Sequence, residues 1–220
     1  MPVQRLANES AEYLKLREEL LEAEIALRDQ RERVAELRRA LPPTAVQDYV
    51  FREAPLAGGP VAEVQLSELF GAHETLLLMH FMFGRQQESP CPMCTMWADG
   101  YDGVVPHITQ RAAFGVVVEG DPERFREHAQ GRGWRNLRLL SSGDTSFKDD
   151  LAMQSPEGQQ FPGVSVFTRG ADGAVAHTYT GGAALTSDQW RGMDLLSPVW
   201  HFLDLTPGGR GDWMPRLSYG

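Results

Sequence analysis

Apolar residues follow two regimes along the chain. Up to residue 41 they recur every seven positions, at Leu6, Tyr13, Leu20, Leu27, Val34 and Leu41, with Leu16, Ala23 and Leu37 three positions further on. Gln30 interrupts that second row. No proline or glycine breaks the run, Asn8 or Ser10 can cap its start, and the LPP at 41–43 stops it, so the pattern predicts one long helix over residues 9–41. A seven-residue repeat with charges elsewhere is that of a coiled-coil seam, and equally that of a helix lying on its own domain. The chain therefore reads as 1–43, an N-terminal helix for packing or dimerisation, and 44–220, a globular domain.

From Tyr49 the pattern changes to short strands alternating with helices. YVFREAPLAGGPVAEVQLSELFG gives a short strand, a Gly/Pro turn and a one-turn helix around Ser67–Phe70. TLLLMHFMFG (75–84) and AFGVVVEG (113–120) are continuous apolar runs of strand length, as expected of strands buried on both faces. DPERFREHAQGRG between residues 121 and 133 opens with an Asp cap and a first-turn proline and closes on glycine, which predicts a helix. LRLLSS (137–142) is a further strand, and GVSVFTRGADGAVAHTYT (163–180) is two strands joined at ADG. SDQWRGMDLLSPVWHFLDL predicts a closing amphipathic helix, and in the tail Trp213, Leu217 and Tyr219 are expected to pack down.

Composition narrows the partners. With 220 residues, 42% hydrophobic and 23% charged, the chain can bury a core without disulfide staples. A net charge of -9 repels phosphate backbones and anionic lipid, so neither nucleic acid nor a membrane surface is an expected partner. No apolar run approaches the ~20 residues that span a bilayer, and MPVQRLANESAEY lacks an apolar signal core, so a cytoplasmic protein is expected. In a reducing cytosol a CxxC is more often catalytic or metal-binding than structural.

The two cysteines stand in SPCPMCTMWADG, at Cys91 and Cys94. Placed at the carboxyl end of the 75–84 strand and ahead of a helix, the Cys91 thiol meets the helix amino terminus, where free N–H groups favour the thiolate. Pro92 occupies the first helical position, where proline is best tolerated. Cys94 follows almost one turn later, close enough to resolve a mixed disulfide, and this spacing serves thiol–disulfide exchange. Structural zinc needs four ligands, whereas one CxxC pair is present and His73, His80 and His107 are isolated. Catalytic zinc held by both thiolates and one of these histidines, and two inert packing cysteines, are the remaining readings.

A buried strand, CPxC, a helix, then strand, helix, two-strand hairpin and closing helix resembles the thioredoxin fold. More narrowly, YVF, LFG, MHFMFG, CPMCTMWADGYDGVVPHI, GVSVF and HFLDLTPGGR resemble an uncharacterised bacterial family of thioredoxin-like proteins described as predicted dithiol–disulfide oxidoreductases. The resemblance implies an α/β fold with a thioredoxin-like central mixed sheet flanked by helices, behind the long N-terminal helical extension. It implies an oxidoreductase in which Cys91 attacks a substrate disulfide and Cys94 resolves it. The substrate would be a disulfide-containing protein or small thiol compound, and the reductant a cellular thiol system. From FPGVSVF it makes Pro162 the candidate cis-proline facing the disulfide. The alternatives are a thiol peroxidase using the same pair, although Glu88 stands where peroxiredoxins carry a threonine, and a non-catalytic module that dimerises through residues 9–41. No metal and no bound organic cofactor is implied, since GxGxxG and GxxxxGK[ST] are both absent.

Supporting roles follow with plainer readings beside them. Trp97 roofs the site or fills the core. Asp99 and Asp102 cap turns or accept a proton from Cys94. His80 is a hydrogen-bonded core histidine or, on the other strand face, a neighbour of Cys91, and His107 is a surface residue or a proton carrier. Gly100 and Gly103 predict a break after the first helical turn, with a new helix from about Val104 or Pro106. SSGDTSFKDDL (141–151) reads as a solvated loop.

Overall fold

A computed structural model describes residues 8–219; Leu6, the first position of the heptad row, lies outside them. The chain divides between Pro42 and Pro43 into two compact units. The first carries α1, Ala11–Arg39, whose N-cap Ser10 accepts the Tyr13 N–H at 3.0 Å. Its apolar row is open, with Tyr13, Leu16, Leu20 and Leu27 each about half exposed.

The second unit contains eight strands among the described residues: β1 Thr44–Ala45, β2 Val50–Glu53, β3 Ala62–Gln65, β4 Thr75–His80, β5 Ala113–Val118, β6 Leu139–Ser141, β7 Gly163–Arg169 and β8 Val175–Gly182. Its helices are α2 Pro92–Ile108, α3 Pro122–Arg132, α4 Phe147–Asp150 and α5 Pro198–Asp204. The strands form one sheet in the order β1-β8-β7-β4-β5-β6-β2-β3. β4, β5 and β6 run parallel, β7 pairs antiparallel with β4, and β8 returns antiparallel beside β7. A parallel pair bridged by a helix and extended by an antiparallel hairpin is the thioredoxin-like arrangement, here widened by β1 on one side and the β2–β3 hairpin on the other.

The apolar runs explain the layering. β4 and β5 lie in the middle and bury side chains on both faces. Met79, Phe81, Val116 and Val118 meet Trp97, Phe125 and Trp134 on one face. Leu76, Leu78 and Val117 meet Phe51, Phe70, Phe147 and Phe167 on the other. α3 begins where DPERF predicts, Asp121 Oδ1 accepting the N–H groups of Glu123 (2.8 Å) and Arg124 (3.0 Å), and ends on left-handed Gly133. Asp121→Ala is expected to cost about 1 kcal/mol, read from the midpoint of urea unfolding; an unchanged midpoint would show that α3 is held by packing alone.

Three expectations are corrected. α2 does not break after its first turn but runs 17 residues through Gly100, Gly103 and Pro106. Tertiary bonds hold it: Asp99 takes Arg132 Nε (3.1 Å) and Trp134 Nε1 (2.7 Å), and Asp102 Oδ1 accepts the N–H groups of Arg135 and Asn136. Pro106 lacks the N–H that the Asp102 carbonyl would accept, and Asn136 Nδ2 donates to that carbonyl instead, at 2.9 Å. The closing helix is confined to Pro198–Asp204, because Ser197 precedes proline and is extended (φ −114°, ψ 96°). Residues 141–151 are not simply a solvated loop, since they wind into α4 with Phe147 and Lys148 buried.

Candidate functional site

β4 ends at His80, and the chain loops through residues 81–90 to reach Cys91, the N-cap of α2. Cys91 is extended (φ −62°, ψ 124°), which turns its side chain back over the open end of the helix, and Pro92 takes the first helical position. Cys91 Sγ accepts the Cys94 N–H at 3.5 Å. Met82 grips the pair from the strand side: its carbonyl accepts the Cys91 N–H at 3.1 Å and its N–H donates to Cys94 Sγ at 3.5 Å.

The two thiols are unequal. Both are free; Cys91 is partly exposed and Cys94 fully buried. The Cys94 thiol hydrogen-bonding to Cys91, together with the N–H groups of Cys94 and Met93, brings the Cys91 thiol down to about 7 against the opposing effect of burial. Burial first, and the Cys91 sulfur second, push Cys94 well above the ordinary thiol range. The arrangement provides one ready thiolate at the surface and one protonated thiol behind it.

The other expected site residues fall variously. Trp97 is in the core, 1% exposed, its ring edge-on to Trp200 at 5.9 Å. His80 lies on the opposite sheet face from the cysteines, stacked on Phe147 at 5.4 Å, because strand alternation groups it with Leu76 and Leu78. Its Nε2 is 2.7 Å from Ser165 Oγ, which is 2.6 Å from Thr180 Oγ1, itself 2.7 Å from His177 Nε2. His107 is exposed in the last turn of α2, roughly 20 Å or more from Cys91 along the helix rise of about 1.5 Å per residue, so it is not part of the site. Asp99 and Asp102 are committed to Arg132, Trp134 and the chain at 135–136, not to Cys94. Pro162 is not a cis-proline: no described peptide bond is cis. It leads into β7 in the ordinary trans form, which X–Pro bonds favour, with its carbonyl accepting the Ala183 N–H at 3.0 Å.

Two residues at the site, His128 and Lys148, carry no signal in the sequence. The Thr95 hydroxyl donates to the Cys91 carbonyl (3.0 Å), so its oxygen is left to accept from His128 Nε2 at 3.1 Å. Burial, then Arg132, holds His128 below its ordinary value and keeps it neutral. Lys148, 2% exposed, donates to the Phe81 carbonyl just behind Met82.

Two clefts flank the motif. A cavity of about 520 Å³ is lined by Met93, Trp97, Trp190, Met193, Trp200 and Trp213. A second of similar size, about 520 Å³, is polar, with Met82, Arg85, Gln87, Glu119 and Gln160 in its wall. Among the described residues, no group of three or more His, Cys, Asp or Glu side chains is placed to hold a metal ion, and no helix is long and apolar enough to cross a membrane.

Fold and site together define a thioredoxin-like protein that carries a Cys-Pro-Met-Cys dithiol at the head of its first core helix. The chain belongs to the family described as "Bacterial protein of unknown function (DUF899)", whose model matches residues 2–218. No curated protein matches the sequence. Among solved structures it is similar to the mitochondrial 2-Cys peroxiredoxin of Plasmodium falciparum (TM-score 0.47, 9% identity, 74% of this chain and 94% of that one). It is also similar to the peroxidoxin BcpB of Mycobacterium tuberculosis (0.45, 17%, 61% and 82%) and to oxidised Prx3 of Vibrio vulnificus (0.47, 14%, 70% and 96%).

Proposed function

We propose that the protein is a thiol–disulfide oxidoreductase. The observation that carries this reading is the asymmetry of the pair: a partly exposed Cys91 thiol brought down to about 7 in front of a buried Cys94 kept protonated. The Cys91 thiolate attacks one sulfur of a substrate disulfide and expels the other as a thiolate. Cys94, losing its proton, then attacks Cys91 Sγ and expels the second, so that the substrate gains two electrons and the protein ends as the Cys91–Cys94 disulfide. A cellular thiol returns it to the dithiol. The tryptophan-lined cleft that begins at Met93 supports a substrate with an apolar group beside its disulfide. The open heptad row of α1 supports pairing of two copies, which sedimentation of the full chain and of a Leu20→Glu/Leu27→Glu variant tests.

Equilibration in glutathione buffers, with free thiols counted by mass after alkylation, tests the chemistry. One two-thiol transition is expected; a midpoint near roughly −270 mV marks a reductase and one toward about −120 mV an oxidant. If no internal disulfide forms across the range, the reading fails. If instead one equivalent of peroxide oxidises Cys91 faster than any disulfide does, peroxide is the substrate.

The pH dependence is equally specific. Only the thiolate is alkylated, and a lowered pKa means ionisation at lower pH. The rate of iodoacetamide modification of Cys91 is therefore expected to rise through pH about 7 and level off above it, where an unperturbed cysteine, at ~8.5, is still climbing. A profile still rising at pH 9 would show that the Cys94 thiol and the N–H groups at the helix terminus do not activate this thiol.

A further inference from the structure

Lys148 is a buried cation that the exchange steps above do not use. Its Nζ donates to two neutral oxygens, Phe81 O and Gln160 Oε1, each at 3.3 Å. Gln160 in turn donates from Nε2 to Glu119 Oε2 at 2.6 Å, and Glu119 is 3.6 Å from Arg85. Burying an ammonium without a carboxylate directly upon it is costly, so its place near the cysteines calls for a reason beyond packing.

The reason lies in one peptide group. The Phe81 carbonyl that receives Lys148 and the Met82 N–H that donates to Cys94 Sγ are the two ends of the same planar amide. A cation on the oxygen draws electron density away from the nitrogen and makes its N–H a stronger donor, as linked hydrogen bonds polarise one another. A stronger donor favours a sulfur anion over a neutral thiol. Cys94 needs that help, because it is fully buried and must become a thiolate to attack Cys91.

We propose that Lys148 is a positioning residue for the resolving step, supporting the Cys94 thiolate through the Phe81–Met82 peptide group. The proposal rests on the oxidoreductase reading and deepens it. In the step concerned, the Cys94 S–H loses its proton to solvent, the Cys94 S–Cys91 S bond forms, the bond from Cys91 S to the substrate sulfur breaks, and the leaving thiolate takes up a proton. Lys148 exchanges no atom or electron. Its own ammonium is lowered to about 8, chiefly by burial, against the raising effect of Cys94 as it becomes a thiolate and of Glu119, so it is cationic at neutral pH. The other titratable and charged groups facing this cluster are Cys91 on α2, His80 at the end of β4, Tyr101 on the Cys94 side, and Glu119 with Arg85.

The test uses the full chain with Lys148→Gln, which keeps a donor for the Phe81 carbonyl and loses the charge, and Lys148→Met, which loses both. In a Cys91→Ser background Cys94 is the sole cysteine, and its ionisation is followed by the ¹³Cβ shift of labelled cysteine against pH. Lys148→Gln is expected to weaken that ionisation about tenfold, the equivalent of a one-step rise in pKa. With Cys91 intact, the mixed disulfide formed with oxidised glutathione, trapped by acid and weighed, is expected to persist longer by about the same factor at pH 7, where Lys148 is cationic. If Lys148→Met fails to fold, Lys148→Gln alone decides. Identical Cys94 titrations with and without the lysine overturn the proposal, as does an unchanged mixed-disulfide lifetime. If the wild-type chain forms no mixed disulfide at all, the oxidoreductase reading falls, while the Cys94 titration still judges the link to Lys148.

Discussion

Cys91→Ser is expected to reduce turnover of a model disulfide to the rate seen without protein, while the variant melts close to the parent. The hydroxyl that replaces the thiol ionises far above neutral pH, so the Cys94 thiol and the N–H groups of Cys94 and Met93 no longer generate a nucleophile. Cys94 cannot substitute, being fully buried and pushed well above the ordinary thiol range. Cys94→Ser should behave differently: Cys91 still attacks, and the product accumulates as a mixed disulfide visible by mass. The contrast between a silent variant and a trapped one is what an ordered attack-then-resolve sequence requires. Turnover retained by Cys91→Ser would sink the assignment of the attacking thiol.

Trp97→Ala is expected to destabilise the second unit by about 3–5 kcal/mol, as large-to-small core substitutions of aromatic residues do. The indole is 1% exposed and packs edge-on against Trp200. Its Nε1 has no hydrogen-bond partner among the described residues, so the ring is held by packing, with no polar bond to lose. Trp97→Phe is therefore expected to cost much less than Trp97→Ala, since it leaves a smaller void and removes an unsatisfied donor. Urea unfolding of both variants gives the comparison. Equal costs for the two would mean that the indole is held by something other than packing.

What the sequence makes legible is local or periodic. The double-faced apolar runs give β4 and β5, the Asp-Pro start and glycine stop give α3, and the ADG turn places the β7–β8 hairpin. The CPxC spacing, set after a buried strand, is enough to point to Cys91 and Cys94. What it hides depends on distant partners. Gly100 and Gly103 argue against a continuous α2, and only Asp99 and Asp102 binding the chain at 132–136, with Asn136 donating back to the Asp102 carbonyl, reverse that. Strand alternation alone could not say which face His80 takes until the register with β7 fixed it. Lys148 and His128 lie 54 and 34 positions after Cys94, in segments that look solvated, and nothing near them announces that the fold turns them inward.

The row of polar groups from His80 through Ser165 and Thr180 to His177 has a sense of direction. The Nδ1 of His80 is buried without a partner among the described residues, and a buried lone pair there is tolerated better than a buried orphan N–H. The proton therefore sits on Nε2, which donates to Ser165. Ser165 then has its hydrogen free for Thr180, and Thr180 its own for His177 Nε2. Burial lowers the pKa of both imidazoles, so each stays neutral and can play its part. Three adjacent strands, β4, β7 and β8, are thus joined by a one-way relay of hydrogens that can reverse only if both imidazoles change tautomer and both hydroxyls rotate together. A proton placed on His177 Nε2 would leave the Thr180 hydrogen with nowhere to go, and its effect would travel back across the sheet to the strand that leads into the dithiol.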